Sequence, residues 1–254
     1  DYTQETDFLI FDRSLSGDNL DEAIGQTVEI VHHLVKSIGF TARTLSIVDS
    51  AVEQISKEVK KNNKLDELLG KLRSQKNFLH EHCYMLAYLC DVVCSKMGWT
   101  TSNIKEKLYY ASLLHDITLE DNDMVVGIEL NNRSVEDYGP ERAKEYLSHQ
   151  DEAAKMIRAI ESLPANLDLI IQNHNERPNG EGFPRKLSST QVTQLEALFI
   201  IAHTFVIELY KCDFDKGQIK DILTIMSKVF SKGSYKKPLE AFVEVSRDFL
   251  YKST

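Results

Sequence analysis

The chain has 254 residues, 42% of them hydrophobic and 27% charged, a balance that excludes collagen-like, low-complexity and wholly disordered proteins. Eleven glycines and five prolines are too few for an all-β chain built on tight turns, and a formal charge of −9 leaves no basic face for a nucleic-acid polymer or an anionic membrane surface. No run of about 18 apolar residues marks a membrane span, and no signal-peptide pattern is present, so the expectation is a cytoplasmic protein.

In chain order the periodicities are helical, apart from a weak strand signal at Phe8 to Phe11. Asp18 to Ile38 spaces Leu20, Ile24, Val28, Val31, Leu34, Val35 and Ile38 as a helix does, and Thr41 to Val59 repeats the pattern. Lys57, Lys60, Lys61 and Lys64, with Asn62 and Asn63 between, read as a linker or as a solvated helix end. Leu65 to Leu72 reads as a short connecting helix. Phe78 to Met97 follows and is stopped by Gly98. Thr101 or Ser102 caps the next helix, which runs through Leu108 to Ile117. Thr118 to Pro140 has weak periodicity and reads as a loop with short turns. Glu141 to His149 and Glu152 to Ser162 read as two helices, and Leu167 to His174 as a short apolar one. Arg177 to Leu187 holds two prolines and two glycines and must be an ordered loop. Ser188 or Ser189 then caps a long apolar helix, and helices over Lys216 to Phe230 and Lys237 to Tyr251 close an all-α chain. Cys83, Cys90 and Cys94 fall on one helix face, Cys212 is remote, and no CxxC pair exists, so free thiols in a reducing compartment are expected.

The eight histidines carry the chemical signal. His82, His115, His149, His174 and His203 each sit in or at the end of the apolar stretch of a different predicted helix. One histidine on an apolar face is an ordinary core residue. Five on five helices ask for a shared partner, because each imidazole buried without one costs roughly 1–3 kcal/mol. A metal ion is that partner. Asp116 follows His115 directly, where an unpaired carboxylate is expensive to bury. Its two oxygens suit a bridge between two ions. Several imidazoles, one carboxylate and no thiolate favour iron or manganese over zinc. His32 and His33 read as ordinary helix residues, and His80 lies on a different helix face from His82.

The ordered series resembles the HD-GYP family, bacterial members of the HD phosphohydrolase superfamily. His82 resembles that family's first histidine, His115-Asp116 the HD pair and His149 the isolated middle histidine. His174-Asn175-Glu176-Arg177-Pro178-Asn179-Gly180-Glu181-Gly182-Phe183-Pro184 resembles the HHE…GYP signature, and Ala202-His203-Thr204-Phe205 the late Ala-Asp-x-Phe. The resemblance runs from about Leu72 to the C-terminus. It implies an HD-type helical bundle over residues 65–254; residues 1–64 lie outside the resemblance, and their amphipathic pattern reads as a small helical N-terminal region of regulatory, dimerising or purely structural role. It also implies hydrolysis of cyclic-di-GMP by a hydroxide activated at a binuclear centre. His82, His115 and His203 would hold one ion with Asp116, and His149 and His174 the other, the two divalent ions being iron or manganese. Asp116 and Glu176 are the implied catalytic residues, Glu176 by orienting a ligand or pairing a charge. The stretch Arg177, Gly180, Gly182, Phe183 and Pro184 is either a rigid turn with both glycines at positive φ, which leaves the expected exposure of Phe183 unexplained, or a contact surface for substrate or for diguanylate cyclase domains.

The departures from the pattern also carry information. Asn175 replaces the second histidine, His203 the late aspartate and Phe183 the tyrosine; Leu119 stands where the family has a lysine, and Phe78 where three-metal members have a glutamate. The last departure and Asn175 point to two metals. Losing the lysine opens a second reading: a catalytically degenerate protein that binds cyclic-di-GMP or docks a cyclase. A di-iron oxygenase is a third reading, disfavoured by the GEGFP loop.

Overall fold

The computed structural model describes residues 20–61 and 78–251. Ten helices carry these residues: α1 Leu20–Ile38, α2 Ala42–Lys61, α3 Phe78–Lys96, α4 Ser102–Leu114, α5 Asn122–Val125, α6 Pro140–Arg158, α7 Leu167–Gln172, α8 Gln194–Lys211, α9 Lys216–Val229 and α10 Lys236–Tyr251. No strand occurs among the described residues; the nearest approach is an isolated antiparallel bridge between Asn179 and Ser188. The expected strand at Phe8 to Phe11, the connecting helix at Leu65 to Leu72 and the boundary at 64/65 lie outside the described residues.

Two helices form the centre. α3 buries residues on every side, from Phe78 and Leu79 through His82, Met85, Leu86 and Leu89 to Val93 and Cys94. α8 does the same from Ala197 to Tyr210, as expected of helices apolar all round. α3 packs against α4, α8 and α10, while α6, α7 and α4 stack along the other side. α1 and α2 pair with each other and lie on α3 and α4. Their stripes, Val28, Val31, Leu34 and Val35 on α1 and Val48, Ala51, Val52 and Ile55 on α2, are buried in the same continuous core. No helix among the described residues is long and apolar enough to cross a membrane.

Three expectations need correction. The residues expected as two helices around Gln150 form one, α6, since nothing from Pro140 to Arg158 breaks it. The long helix is capped by Thr193, not by Ser188 or Ser189; the Thr193 side chain accepts from the Glu196 N–H and so defines the first turn of α8. Thr118 to Pro140 is more ordered than a plain loop. It contains α5, a π turn at Val126–Leu130 and a 3-10 turn at Val135–Tyr138. Thr101 does precede α4, but its side chain makes no capping hydrogen bond. All four cysteines are free. Burial pushes the Cys83 and Cys90 thiols well up and Cys94 to about 12, which keeps them protonated.

Candidate metal centre

Each of the five histidines arrives from a different part of the bundle. α3 supplies His82 and α8 His203; His115 caps α4; α6 supplies His149; His174 follows α7. All five are at most 1% exposed, and Asp116 is 3% exposed. They form two groups that share the aspartate: His82, His115, Asp116 and His203, and Asp116, His149 and His174, with ligand atoms within 4.8 Å of one another in each group.

The tautomers follow from the backbone. Nδ1 of His82, His115, His149 and His174 lies 2.5–3.0 Å from the carbonyls of Phe78, Ser112, Tyr146 and Ile171. A carbonyl only accepts, so each Nδ1 carries the proton and each Nε2 presents a lone pair. Those lone pairs converge. His82 Nε2 is 2.8 Å from His115 Nε2, and His149 Nε2 is 3.2 Å from His174 Nε2. Between them lies Asp116. Its Oδ2 is 3.5 Å from His82 Nε2 and 3.3 Å from His115 Nε2, while its Oδ1 is 3.3 Å from His149 Nε2 and 3.5 Å from His174 Nε2.

Burial is the main cause that lowers the pKa of His115, and those of His174 and His203 well below the imidazole range, so these rings stay neutral. Burial also pushes the Asp116 carboxyl up, but positive charge beside it, on His115 foremost, draws it well below the usual carboxylate range, so its anionic form goes with a cation at the ring nitrogens. The result is one carboxylate faced by ring nitrogens that approach each other in pairs, with His115, His174 and His203 held neutral by burial. Without a cation that arrangement is repulsive; with divalent cations each lone pair has a partner. The donor set therefore fits divalent metal. His203 differs from the others, since its buried Nδ1 has no hydrogen-bond partner.

The loop after His174 is held by Glu176. Its Oε1 accepts from the Arg185 N–H (2.6 Å) and its Oε2 from the Leu187 N–H (2.7 Å). This fully buried carboxylate braces the loop, which is a different task from the catalytic one assigned to it from sequence. Gly180 has φ +77°, as expected, but Gly182 is required for a different reason. A Cβ there would lie 2.3 Å from the Arg177 nitrogen and 2.4 Å from Glu176 Cα. Phe183 is half-buried rather than exposed. It packs on the core with its ring centroid 5.9 Å from that of Tyr146, and Pro184 beside it is likewise half-buried. Arg177 donates to the Glu176 carbonyl (2.9 Å). Asn175 Nδ2 lies 3.1 Å from His174 Nε2, and Leu119 is buried in the apolar core.

Several supporting residues had no sequence signal. The Tyr146 hydroxyl donates to Glu129 Oε1 (2.8 Å), and Glu129 sits on the π turn, a local widening that recurs at functional sites. Asn173, next to His174, donates to Glu196 Oε2 (2.8 Å) and so ties this histidine's segment to the first turn of α8.

The HD domain family profile matches residues 67–225, more than half of the chain. The chain belongs to the HD domain family. The fold is similar to that of Bd1817, an HDG"Y"P protein from Bdellovibrio bacteriovorus, with a TM-score of 0.58 at 16% identity over 89% of this chain and 71% of that one. No curated protein sequence matches the chain significantly. Family and buried His/Asp cluster together give the protein a metal-binding, hydrolase character, and its fold is that of an HD-GYP-like protein.

Proposed function

We propose that the protein is a metal-dependent phosphodiesterase acting on cyclic-di-GMP. In this reading His82, His115 and His203 hold one divalent ion, His149 and His174 hold a second, and Asp116 bridges them. The observation that carries it is the division of one carboxylate between two imidazole pairs, Oδ2 toward His82 and His115 and Oδ1 toward His149 and His174. A thiolate-free set of imidazoles with one carboxylate suits iron, with manganese as the alternative. When bound, the ions would polarise a phosphoryl oxygen and lower the pKa of a water for in-line attack.

The chain's own residues do the rest. The carbonyls of Phe78, Ser112, Tyr146 and Ile171 fix four rings with Nε2 directed inward, so little reorganisation accompanies loading. Glu176 keeps the 177–187 loop in one shape. Arg177, Gly180, Gly182, Phe183 and Pro184 then form the surface that meets the dinucleotide or a diguanylate cyclase domain. Arg177 supplies positive charge at this place in a protein whose net charge is −9.

A receptor that binds cyclic-di-GMP or docks a cyclase without turnover is the second reading. It is favoured by Leu119, an apolar core residue where the family resemblance puts a phosphate-contacting lysine. One assay separates the two. Iron-loaded protein, purified anaerobically, is incubated with cyclic-di-GMP and the products are separated chromatographically. Linear dinucleotide or GMP above a His115→Ala control supports the phosphodiesterase. No product from a sample with bound metal rejects it in favour of the receptor.

A further inference from the structure

We infer that α1 is a positioning element of the metal centre, gripping the segment that carries His115 and Asp116 on both sides through His32 and Lys36. The inference rests on the reading that the cluster holds metal. It starts from the end of α4. The Ile117 N–H donates to the Leu114 carbonyl (3.3 Å), one residue tighter than the helical bond to Leu113. The Leu113 carbonyl, two residues before His115, accepts instead from Nε2 of the buried His32 (2.6 Å), across 81 positions of sequence. One turn further along α1, on the same face, Lys36 Nζ donates to the Thr118 carbonyl (3.0 Å) and pairs with Glu120 (3.0 Å). Thr118 in turn donates its hydroxyl to the His149 carbonyl (3.0 Å).

Two successive turns of α1 thus reach both halves of the centre. His32 fixes the entry into the His115-Asp116 turn, and Lys36 fixes its exit and, through Thr118, the backbone of His149. These contacts are to backbone carbonyls, one step removed from any ligand atom. α1 is seated by its own apolar stripe against α2 and α3, and a shift of this helix relative to the end of α4 breaks both grips at once. α1 is therefore coupled to the geometry of the two ion sites as well as to the stability of the bundle.

The test is Co2+ titration of the full chain, followed by visible absorption, with thermal unfolding measured on the same samples. His32→Phe and Lys36→Met should each weaken Co2+ binding about tenfold, the scale of losing an outer support of a metal site, and should alter the band shape. His32→Gln, whose amide can donate to the same carbonyl, should restore both. Ser37→Ala, exposed and next to Lys36, should match the wild type. Wild-type affinity and spectrum in Lys36→Met, at an exposed position, and in folded His32→Phe would overturn the inference. So would an equal loss in Ser37→Ala. A wild-type protein that takes up no Co2+ overturns the metal reading itself, and this inference with it.

Discussion

His82 Nε2 lies 2.8 Å from His115 Nε2, and the Nδ1 of each ring is already committed to a backbone carbonyl. Two lone pairs in contact inside an apolar bundle are a standing cost to the metal-free fold. The first expectation is therefore that chelation destabilises the protein and that divalent metal restores it. At one hundred times the dissociation constant the gain is about 2.7 kcal/mol. Thermal unfolding after chelation, then with Mn2+ added back, reads this directly. An unfolding temperature indifferent to metal would contradict the account.

Glu129 gives a pH prediction for the metal-free protein. Burial, and then the charge of Asp116, raise its carboxyl from 4.5 to about 7. The folded state therefore favours the protonated form. Its contribution is fully present below pH 4.5 and is lost as the pH rises through about 7, where the folded protein must ionise a shielded carboxyl. Glu129→Gln cannot ionise and keeps an oxygen for the Tyr146 hydroxyl. The variant should gain stability over the wild type progressively between these pH values, as measured by urea unfolding. A difference that stays constant with pH would show that Glu129 is not held protonated.

The loop gives a third. Glu176→Ala leaves the Arg185 and Leu187 N–H groups without their acceptor, at roughly 1–3 kcal/mol for each group that stays buried. Gly182→Ala forces a Cβ into the Arg177 backbone, with a cost of about 1–3 kcal/mol. Both should speed hydrogen exchange across residues 177–187 while leaving metal uptake intact. Loss of metal from Glu176→Ala would return this residue to the centre itself.

Much of this was legible in the sequence because it depends on period and position. The five histidines lie in separate apolar stretches, so burial alone brought them together, and the HD pair and GEGFP loop fixed their order. The structure places His82, His115 and His203 in one group with Asp116 and His149 and His174 in another, side by side as metal donors could lie. What was not legible depends on bonds made across the chain. Glu176 reads as catalytic beside His174, yet its partners are N–H groups nine and eleven residues on. Gly182 reads as a positive-φ turn, yet its need is for space against Arg177. Phe183 reads as exposed beside charged neighbours, but it packs against Tyr146 from another helix. His32 looked like an ordinary helix residue, and only the tertiary fold reveals the Leu113 carbonyl that it satisfies. The sequence reads as two helices, Glu141 to His149 and Glu152 to Ser162, yet no residue between them stops a helix and α6 runs straight through.

Asp116 tests the central claim most directly. In the proposed reading, this carboxylate, which faces two imidazole pairs with separate oxygens, holds both ions, so removing it should empty both sites. Metal analysis of anaerobically prepared wild-type and Asp116→Ala protein, each confirmed folded by circular dichroism, is the measurement. The account predicts two equivalents of divalent metal in the wild type and near-complete loss in the variant. Two full equivalents retained by Asp116→Ala would contradict it.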